Sequence, residues 1–336
     1  MSVTIEDISR QLGISVSTVS KALNAYPDVA EGTRQRVLAA ARDLDYHPSA
    51  AARNLRRGRT DRIGLLLNNP ISFLSEYISE VMAGMALSAE TYRQNLVLYT
   101  TAVQYPDELK RICRAREVDG LILIFAPSPE AVAVLEEEKM PFIVFGRRVE
   151  RLGVSFVAPD NQAGAYTLTR HLLAQGHERI GFTTRPELGV VSDDRFAGYQ
   201  QALAEAGLPL VPELVVPTAI EPLSGYKAMT TFLDLDQPPT AVFAFYDLMA
   251  VDALDAAQAR GLRVPQDVAI AGFDGLRSSL LTKPRLTTVQ QPLPLMGRRA
   301  MELLLARIED NQQPAAAEIF PVELVIRQST RQPQKR

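Results

Sequence analysis

The sequence predicts a small all-α head of the helix-turn-helix type, followed by a larger α/β body. The head is predicted from residues 4–24, in which two short amphipathic segments are separated by a glycine. The body is predicted from residue 62 onward, where short apolar runs alternate with helix-like stretches. Residues 1–62 carry ten basic and seven acidic side chains, although the whole chain has a net charge of −3. A basic head on an acidic body indicates a nucleic-acid reader.

The first helix of the head is expected to begin at Ile5. Thr4 followed three residues later by Asp7 has the spacing of a capping box, which satisfies backbone N–H groups at the start of a helix. Ile5, Ile8 and Leu12 are spaced so that they lie on one face of this helix. The next residue is a glycine, which ends the helix.

The second helix is expected to follow Ser15, whose side chain can cap it. The side chains expected on its buried face are Val19, Ala22 and Leu23. We expect the opposite face, with Ser17, Ser20 and Lys21, to be free to meet base edges in a major groove. The motif alone leaves a second interpretation open, an ordinary helical hairpin that binds no nucleic acid.

Two further helices are expected before the body. A third, over about residues 31–44, closes the head and buries Val37, Ala41 and Leu44. A short one of about two turns follows, bounded by Pro48 and Gly58. A helix of this length is marginal in water on its own. This segment contains several arginines and one leucine that is expected to be exposed. Such a composition indicates a helix that folds only when it binds DNA.

Composition excludes several classes of protein. No apolar run approaches the length of a membrane span, and the N-terminal residues MSVTIEDISR contain no apolar signal core. The single cysteine, Cys113, excludes a disulfide framework and a cysteine-based metal cluster. We therefore expect a cytoplasmic soluble protein that needs no metal and no cofactor.

Residues 4–24, the segment VAEGTRQRVLAAARDLDYHPSAAARNL and several later motifs resemble the lactose-repressor (LacI/GalR) family of bacterial transcription regulators over essentially the whole chain. The resemblance implies that the short helix is a hinge helix, two of which pair in the minor groove at the operator centre. It also implies that Leu55 wedges into the central base step, as apolar side chains do in kinked duplexes. The residues expected to contact DNA are Thr4, Ser15, Val16, Ser17, Thr18, Ser20, Lys21, Asn24, Ser49, Ala52, Arg53, Leu55 and Arg56.

The body contains the alternation of strands and helices that is typical of parallel sheets. The predicted strands lie at residues 63–67, 96–99, 121–125, 142–145, 156–158, 180–183, 214–216, 241–245 and 268–273. The predicted helices lie at residues 76–91, 107–116, 130–138, 161–175, 194–206, 223–235 and 247–260. This order predicts doubly wound lobes, with a TIM barrel as the alternative.

The resemblance favours two doubly wound parallel-sheet lobes like those of periplasmic sugar-binding proteins, with chain crossings near Asn161, Gln291 and Phe320. The domains it implies are a DNA-binding domain at 1–47, a hinge helix and linker at 48–61, an N-terminal lobe at 62–161 plus 292–320, and a C-terminal lobe at 162–291 plus 321–330. The absence of a signal peptide argues against a periplasmic protein itself.

The sequence offers little catalytic chemistry. It contains no Gly-x-Ser-x-Gly elbow, Walker loop, Gly-x-Gly-x-x-Gly or His-Glu-x-x-His motif. His177 follows a helix-ending glycine, which favours a structural role, and Cys113 is interpreted as a small buried hydrophobe. We therefore expect a protein that is not an enzyme.

Polar side chains at the ends of predicted strands point to a ligand site, because doubly wound folds bind ligands beyond the carboxyl ends of their strands. The expected effector contacts are Phe73, Arg147, Asp160, Arg195, Tyr246, Asp274 and Gln291. Carboxylates and arginines can bind vicinal hydroxyls, and an aromatic ring can cover the apolar face of a sugar.

The resemblance assigns effector contacts to the positions of Phe73, Arg195 and Asp274. The family usually has Asn-Asp where this chain has Tyr246-Asp247. We interpret Tyr246 as a residue that stacks on the effector, and Asp247 as the cap of its helix.

The C-terminal stretch IFPVELVIR reads as strand and is followed by a polar tail without a leucine heptad. We therefore expect no tetramer-forming helix of the kind found in some family members, and we expect a twofold homodimer. The resemblance implies an effector-controlled repressor of sugar-use genes that binds a palindromic operator and a sugar or glycoside. The alternative is a cytoplasmic sugar-binding or sugar-converting protein with a degenerate DNA-binding head.

Overall fold

A computed structural model describes residues 3–46, 58–67, 75–99, 106–124, 128–151, 153–219 and 221–330. The chain divides into two compact units, residues 1–60 and residues 61–336.

The first unit is the predicted three-helix head. Its helices are α1 (Ile5–Leu12), α2 (Val16–Leu23) and α3 (Glu31–Asp43). At the start of α1 the Asp7 carboxylate accepts hydrogen bonds from the Thr4 amide at 2.9 Å and from its hydroxyl at 2.8 Å. The three helices enclose one apolar core that includes Ile8, Val19 and Val37, each fully buried. The amphipathic spacing read from the sequence therefore matches the packing of the head.

The second unit is an α/β body. Its strands are β1 (Arg62–Leu67), β2 (Asn95–Tyr99), β3 (Gly120–Ile124), β4 (Phe142–Phe145), β5 (Phe156–Pro159), β6 (Ile180–Thr184), β7 (Val215–Pro217), β8 (Ala241–Phe243), β9 (Ala269–Asp274), β10 (Thr287–Gln290), β11 (Ala317–Phe320) and β12 (Glu323–Val325). Its helices are α4 (Glu76–Thr91), α5 (Pro106–Ala115), α6 (Pro129–Glu137), α7 (Asn161–Ala174), α8 (Val190–Glu205), α9 (Ser224–Leu233), α10 (Asp247–Ala259), α11 (Ser278–Leu281) and α12 (Leu293–Glu309).

The first lobe is built on a parallel sheet with the strand order β11-β5-β4-β3-β1-β2. Alternate residues of one strand face opposite sides, so that Leu65 joins the core under α4 and α12 while Leu66 joins the core under α5 and α6. Strands buried on both faces explain the continuous apolar runs in the sequence.

The second lobe repeats this plan with the strand order β12-β10-β9-β8-β6-β7, in which the short strand β12 pairs antiparallel with β10. Helices α7 and α8 cover one face of this sheet, and α9 and α10 cover the other. Two separate sheets rule out the TIM-barrel alternative and confirm the two-lobed prediction.

The chain passes between the lobes three times. It leaves the first sheet after β5, returns after β10 through α12, and leaves again between β11 and β12. The carboxyl ends of β5 and β10 therefore lie at the junction of the two sheets. Ligands of doubly wound folds bind at such strand ends.

Several elements differ from the sequence-based prediction, and the short helix α11 and strand β10 were not predicted at all. Helix α12 was not predicted, because Pro292 and Pro294 at its start suggest a turn, although proline is tolerated in the first turn of a helix. The predicted single strand IFPVELVIR is divided into β11 and β12, because the chain changes sheets at Pro321. Helix α8 begins at Val190 instead of 194, since Gly189 adopts the φ of 51° that starts it.

Helices α4 and α12 approach closely because a glycine lies at their contact. A Cβ atom added to Gly84 would lie 1.8 Å from the carbonyl oxygen of Pro294. Any larger residue would force these helices apart. Among the described residues, no helix is both long enough and apolar enough to span a lipid bilayer.

Candidate functional site

Helix α2 presents a polar surface on the head. Ser15 caps the helix by accepting a hydrogen bond from the Thr18 amide at 3.1 Å, as the sequence predicted, and its hydroxyl lies 2.8 Å from that of Thr18. Val16 is 42% exposed and Ser17 is also exposed, whereas Val19 is fully buried. The exposed face is therefore the one on which DNA contacts were predicted.

The end of α2 is fixed by two further contacts. Asn24 Nδ2 donates to the carbonyl oxygen of Ser20 at 2.6 Å, and the Lys21 ammonium lies 2.5 Å from the Asp28 carboxylate. Lys21 is thus paired within the head, which differs from the prediction that its side chain is free to meet base edges. The DNA contacts themselves remain predictions.

Several predicted site residues fall outside the described part of the chain. They are Ser49, Ala52, Arg53, Leu55 and Arg56 of the expected hinge helix, and Phe73 of the expected effector site.

In the body, Arg195 of α8 is the centre of a buried polar cluster beyond the ends of the strands. Its Nε donates to Asn161 Oδ1 at 2.8 Å and its Nη1 donates to the carbonyl oxygen of Phe245 at 2.5 Å. The guanidinium lies 3.7 Å from the ring centroid of Phe273. Only 4% of Arg195 is exposed, and this burial lowers its pKa. These contacts hold the Arg195 guanidinium in one orientation, with Nη2 directed towards Asp274.

Asp274 lies at the end of β9, 3.7 Å from Arg195 Nη2. Its Oδ1 accepts a hydrogen bond from Gln291 Nε2 at 2.7 Å, which leaves the buried Gln291 Oε1 without a hydrogen-bond partner among the described residues. The φ angle of Asp274 is 121°, a strained value of the kind found at ligand sites. Arg195, Asp274 and Gln291, which the sequence analysis proposed separately, are therefore brought together at one site.

Tyr77 is a member of the site that the sequence analysis missed. It lies on α4 of the first lobe and interacts electrostatically with Asp274 and Arg195 of the second. Burial, together with the Asp274 carboxylate, raises the pKa of the Tyr77 hydroxyl. No local pattern indicates a site residue here, because Tyr77 occupies an ordinary position in an amphipathic helix. The site thus receives side chains from both lobes.

The prediction that Asp247 caps its helix is wrong. The cap position of α10 is occupied by Tyr246, while the fully buried Asp247 carboxylate accepts from the Leu276 amide at 2.7 Å and from the Thr288 hydroxyl at 2.5 Å. It therefore ties α10 to β10 and to the segment after β9. Burial raises the pKa of Asp247 to about 7.

This carboxyl group predicts a pH-dependent stability. Because the pKa of Asp247 in the folded protein exceeds its ordinary value of 3.8, the folded state binds this proton more tightly than the unfolded state. The free energy of unfolding should fall as pH rises from about 4 to about 7, by on the order of 1–3 kcal/mol. Asp247→Asn should flatten this dependence in urea titrations at a series of pH values. A slope equal to that of the unaltered protein would contradict the assignment.

Tyr246 is held by an arginine that the sequence analysis also missed. Arg185 directly follows β6, is 2% exposed, and donates to the Tyr246 hydroxyl at 2.8 Å while its guanidinium lies 5.4 Å from the ring centroid. Its Nε donates to Glu187 at 2.7 Å. The position after a buried strand was a signal for Arg185, but the Pro-Glu that follows suggested an exposed loop. Arg185 thus fixes the aromatic ring that departs from the family pattern.

Two contacts join the lobes near this cluster. Arg148, after β4, forms a bidentate ion pair with Asp194 of α8, with both Nε–O distances at 2.9 Å. The Glu76 carboxylate at the start of α4 accepts from the Ser278 amide at 3.1 and 3.2 Å. Water can replace these polar contacts when the lobes separate, whereas Leu276, which follows β9, packs into the apolar core under α4 and α12.

The remaining predicted effector residues in the described part of the chain are Arg147 and Asp160. Arg147 is half-buried, its Nε has no hydrogen-bond partner in the described segments, and burial lowers its pKa. Asp160 Oδ1 caps α7 by accepting from the Ala163 amide at 2.9 Å, immediately before Asn161. Asp160 therefore has a structural role, while its contact with an effector remains a prediction.

No cluster of metal-ligating side chains occurs in the part of the chain that the structure describes. His177 is buried, its Nδ1 lies 3.0 Å from the Thr240 hydroxyl, and burial lowers its pKa. Cys113 is a buried free thiol. Its burial raises the pKa of the thiol to about 11. Both residues fit structural roles.

Comparison with known families gives two matches. Residues 4–49 match Bacterial regulatory proteins, lacI family, and residues 169–330 match Periplasmic binding protein-like domain. The chain is 33% identical to the HTH-type transcriptional repressor CytR of Escherichia coli (strain K12), covering 98% of this chain and 96% of that protein. It is 35% identical to the HTH-type transcriptional repressor PurR of Photorhabdus laumondii subsp. laumondii, covering 97% and 96% respectively.

Solved structures agree with these matches. The Lac repressor dimer bound to operator and the anti-inducer ONPF superposes with a TM-score of 0.85 at 25% identity, covering 98% of this chain and 99% of that one. The complex of the transcriptional regulator CelR with cellobiose has a TM-score of 0.74 at 29% identity, with coverages of 97% and 99%.

Proposed function

The chain belongs to the lacI family of bacterial regulatory proteins, and from this we propose that it is an effector-controlled transcriptional repressor that binds a palindromic DNA operator as a homodimer. The observation that carries the proposal is the combination of two sites in one chain. One is the exposed face of α2 in a three-helix head, and the other is the Arg195–Asp274–Gln291 cluster where the two lobes meet.

The chemistry of the cluster favours a small polyhydroxylated effector. Asp274 is an acceptor, as is Gln291 Oε1, which has no partner among the described residues, and Arg195 Nη2 is a donor beside them. Neighbouring hydroxyl groups can donate to the acceptors and accept from the guanidinium at the same time. Tyr246 offers an aromatic ring for the apolar face of a sugar. We therefore propose a sugar or glycoside as the effector, with Arg147 and Phe73 as further contacts.

Control of DNA binding is proposed to work through lobe closure. An effector held by Tyr77 on one lobe and by Asp274 on the other would favour one relative position of the lobes. In a dimer this changes the spacing between the two chains near residue 62, and with it the pairing of the hinge helices expected at 49–58. A short helix is marginal on its own, so a coupling free energy of about 1–3 kcal/mol suffices to switch it.

The second lobe offers a surface for the homodimer. Leu281 of α11 is 73% exposed and Leu248 of α10 is 57% exposed, with Leu280 beside them at 43%. Helices α10 and α11 contact each other, so that these leucines lie on neighbouring elements. Large exposed apolar groups on one surface mark an interaction site. We propose that this surface is shared between two copies across a twofold axis.

We further propose that the protein works in the cytoplasm and is not an enzyme. Its curated relatives CytR and PurR are transcriptional repressors, and the described residues around Arg195 are binding groups that include no nucleophile–base pair. Operator DNA is a cytoplasmic partner in bacteria.

Two measurements on the purified full-length protein test the proposal. Selection from a pool of random duplexes should recover a palindromic sequence. A thermal-shift screen of sugars, glycosides and nucleosides should identify a compound that stabilises the protein and also changes its affinity for that sequence, since a ligand of the folded state raises the melting temperature. Failure to enrich any sequence would contradict the DNA-binding proposal, and stabilisation without an effect on DNA affinity would contradict the control mechanism.

Operator binding should depend steeply on salt. Arg59 and the arginines at positions 53, 56 and 57 place several cations in or next to the head of each subunit. With about six phosphate contacts per dimer, affinity should fall roughly 10³-fold between 50 and 200 mM salt. Fluorescence anisotropy at several salt concentrations gives the slope directly. A slope near zero would mean that these arginines do not meet phosphates.

A further inference from the structure

Helix α2 has one charged side chain, Lys21, and it forms an ion pair with an aspartate of the same head. Lys21 Nζ lies 2.5 Å from Asp28 Oδ2, in the loop between α2 and α3. The lysine side chain is 45% exposed and the aspartate side chain 52%, so the pair lies at the surface that DNA would approach. The contact raises the pKa of Lys21 and lowers that of Asp28, and both groups are therefore charged at neutral pH.

The loop that carries Asp28 is held in place by hydrogen bonds. The Tyr26 amide donates to the carbonyl oxygen of Lys21 at 3.0 Å, and the Val29 amide donates to that of Tyr26 at 3.3 Å. Arg34 of α3 donates to the same Tyr26 carbonyl at 2.8 Å. The backbone on both sides of Asp28 is therefore fixed, and the carboxylate is held over the last turn of α2.

We propose that Asp28 is a specificity-determining residue of the DNA-binding head, which shields the charge of Lys21 from DNA phosphates and leaves the ammonium available to a matching base edge. The inference rests on the proposed function and goes beyond it, because it assigns a role in recognition to an acidic residue. On DNA of the wrong sequence, the paired lysine adds little to non-specific attraction, and the carboxylate repels nearby phosphates.

The proposed role requires that a contact between Lys21 and the correct base be stronger than the ion pair between Lys21 and Asp28. An exposed ion pair favours its bound form by at most about fivefold. A good contact between a lysine and a guanine edge discriminates against the wrong base by roughly 5- to 150-fold. A correct base can therefore draw the ammonium from Asp28, or share it, since the ammonium has three N–H donors. A single phosphate gives no such directional advantage.

The test compares two duplexes of equal length and composition. One is the operator that the unaltered protein selects from a random pool, and the other is a scrambled version. Fluorescence anisotropy measures the affinity of the full-length protein for both between 50 and 200 mM salt. The variants are Asp28→Asn, Lys21→Met and the double variant. Glu31→Gln is the matched control, because it removes one negative charge and one exposed ion pair, that with Arg34, from the same head.

Asp28→Asn should tighten binding to the scrambled duplex about tenfold and to the operator less than threefold, so that discrimination falls. The slope of log affinity against log salt on the scrambled duplex should steepen by about one, as for one added phosphate contact. Glu31→Gln should change both affinities by the same smaller factor. In the Lys21→Met background, Asp28→Asn should do no more than the control does.

The other outcomes separate the two ideas. If the unaltered protein binds both duplexes equally, the proposed function fails before Asp28 is tested. If it discriminates but Asp28→Asn tightens both duplexes equally, Asp28 has no role in specificity. A change of base preference that persists with Lys21→Met would mean that Asp28 reads a base itself, which also overturns the shielding role. Asp28→Ser repeats the measurement if Asp28→Asn lowers the melting temperature.

Discussion

Asp274→Asn is expected to weaken binding of the screened effector at least about 100-fold while leaving the protein folded and dimeric. The carboxylate accepts from Gln291 and faces Arg195, and a polyhydroxylated ligand would donate to its remaining lone pairs. Losing two charge-assisted hydrogen bonds of about 1.5 kcal/mol each accounts for a factor of this size. Isothermal titration with the compound found by thermal shift measures it directly.

The same substitution should lower the melting temperature only slightly, because Arg195 loses its carboxylate partner but keeps its hydrogen bonds to Asn161 and Phe245. Burial and the nearby Asp247 raise the pKa of Asp274 well above its usual value, so that the charged form is penalised in the folded protein. An amide keeps the oxygen that accepts from Gln291 and removes that penalty. A large loss of stability with unchanged effector affinity would show that Asp274 is only structural. Asp234→Asn, which removes an exposed carboxylate paired with Arg260, is the control and should change neither property.

Arg195 needs a conservative replacement for the same experiment. It donates to Asn161 and to the carbonyl oxygen of Phe245, and it neutralises Asp274. Arg195→Ala would leave the Asp274 charge buried and unpaired, which costs about 3–5 kcal/mol. Loss of effector binding would then be indistinguishable from unfolding. Arg195→Lys keeps the positive charge but removes the planar guanidinium with its several N–H donors. The variant should therefore bind the effector more weakly while the protein stays folded.

The sequence was a good guide wherever one periodicity determined the packing. The head follows from helical spacing, and the lobes follow from apolar strands that are buried on both faces, as Leu65 and Leu66 illustrate. The general position of the candidate site was also predictable, because Asp274 ends β9 and Gln291 follows β10, at the carboxyl ends of these strands. Local pattern and global fold agree at these positions.

The sequence was a poor guide where a side chain's role depends on a partner distant in the chain. Asp247 has the position of a helix cap but is bound by Thr288 and by the Leu276 amide, which no local pattern indicates. Tyr77 reaches the site only because the two lobes meet there, and Arg185 reads as part of an exposed turn until Tyr246 is placed beside it. Such contacts follow from the crossings of the chain, which the periodicity does not encode.

Leu281→Lys is expected to convert the dimer into monomers and to weaken operator binding by about 10²–10⁴-fold. A leucine that is 73% exposed contributes little to the fold of one subunit. In a twofold interface, however, each substitution counts twice, because the same surface occurs on both partners. Burying one leucine contributes about 1.5–3 kcal/mol, and two opposed lysines add repulsion. The loss in DNA affinity follows because a monomer holds only one half-site and loses the high effective concentration of the second head.

Sedimentation velocity and operator anisotropy on the same samples check both parts of this prediction. Leu210→Lys is the matched control, since Leu210 is 41% exposed in the same lobe but lies before the edge strand β7, away from α10 and α11. It should remain dimeric and bind the operator normally. Effector affinity per subunit should be unchanged in both variants, because the Arg195–Asp274 cluster lies within one chain. A Leu281→Lys protein that sediments as a dimer would place the interface elsewhere, and a monomer that keeps full operator affinity would separate DNA recognition from dimerisation.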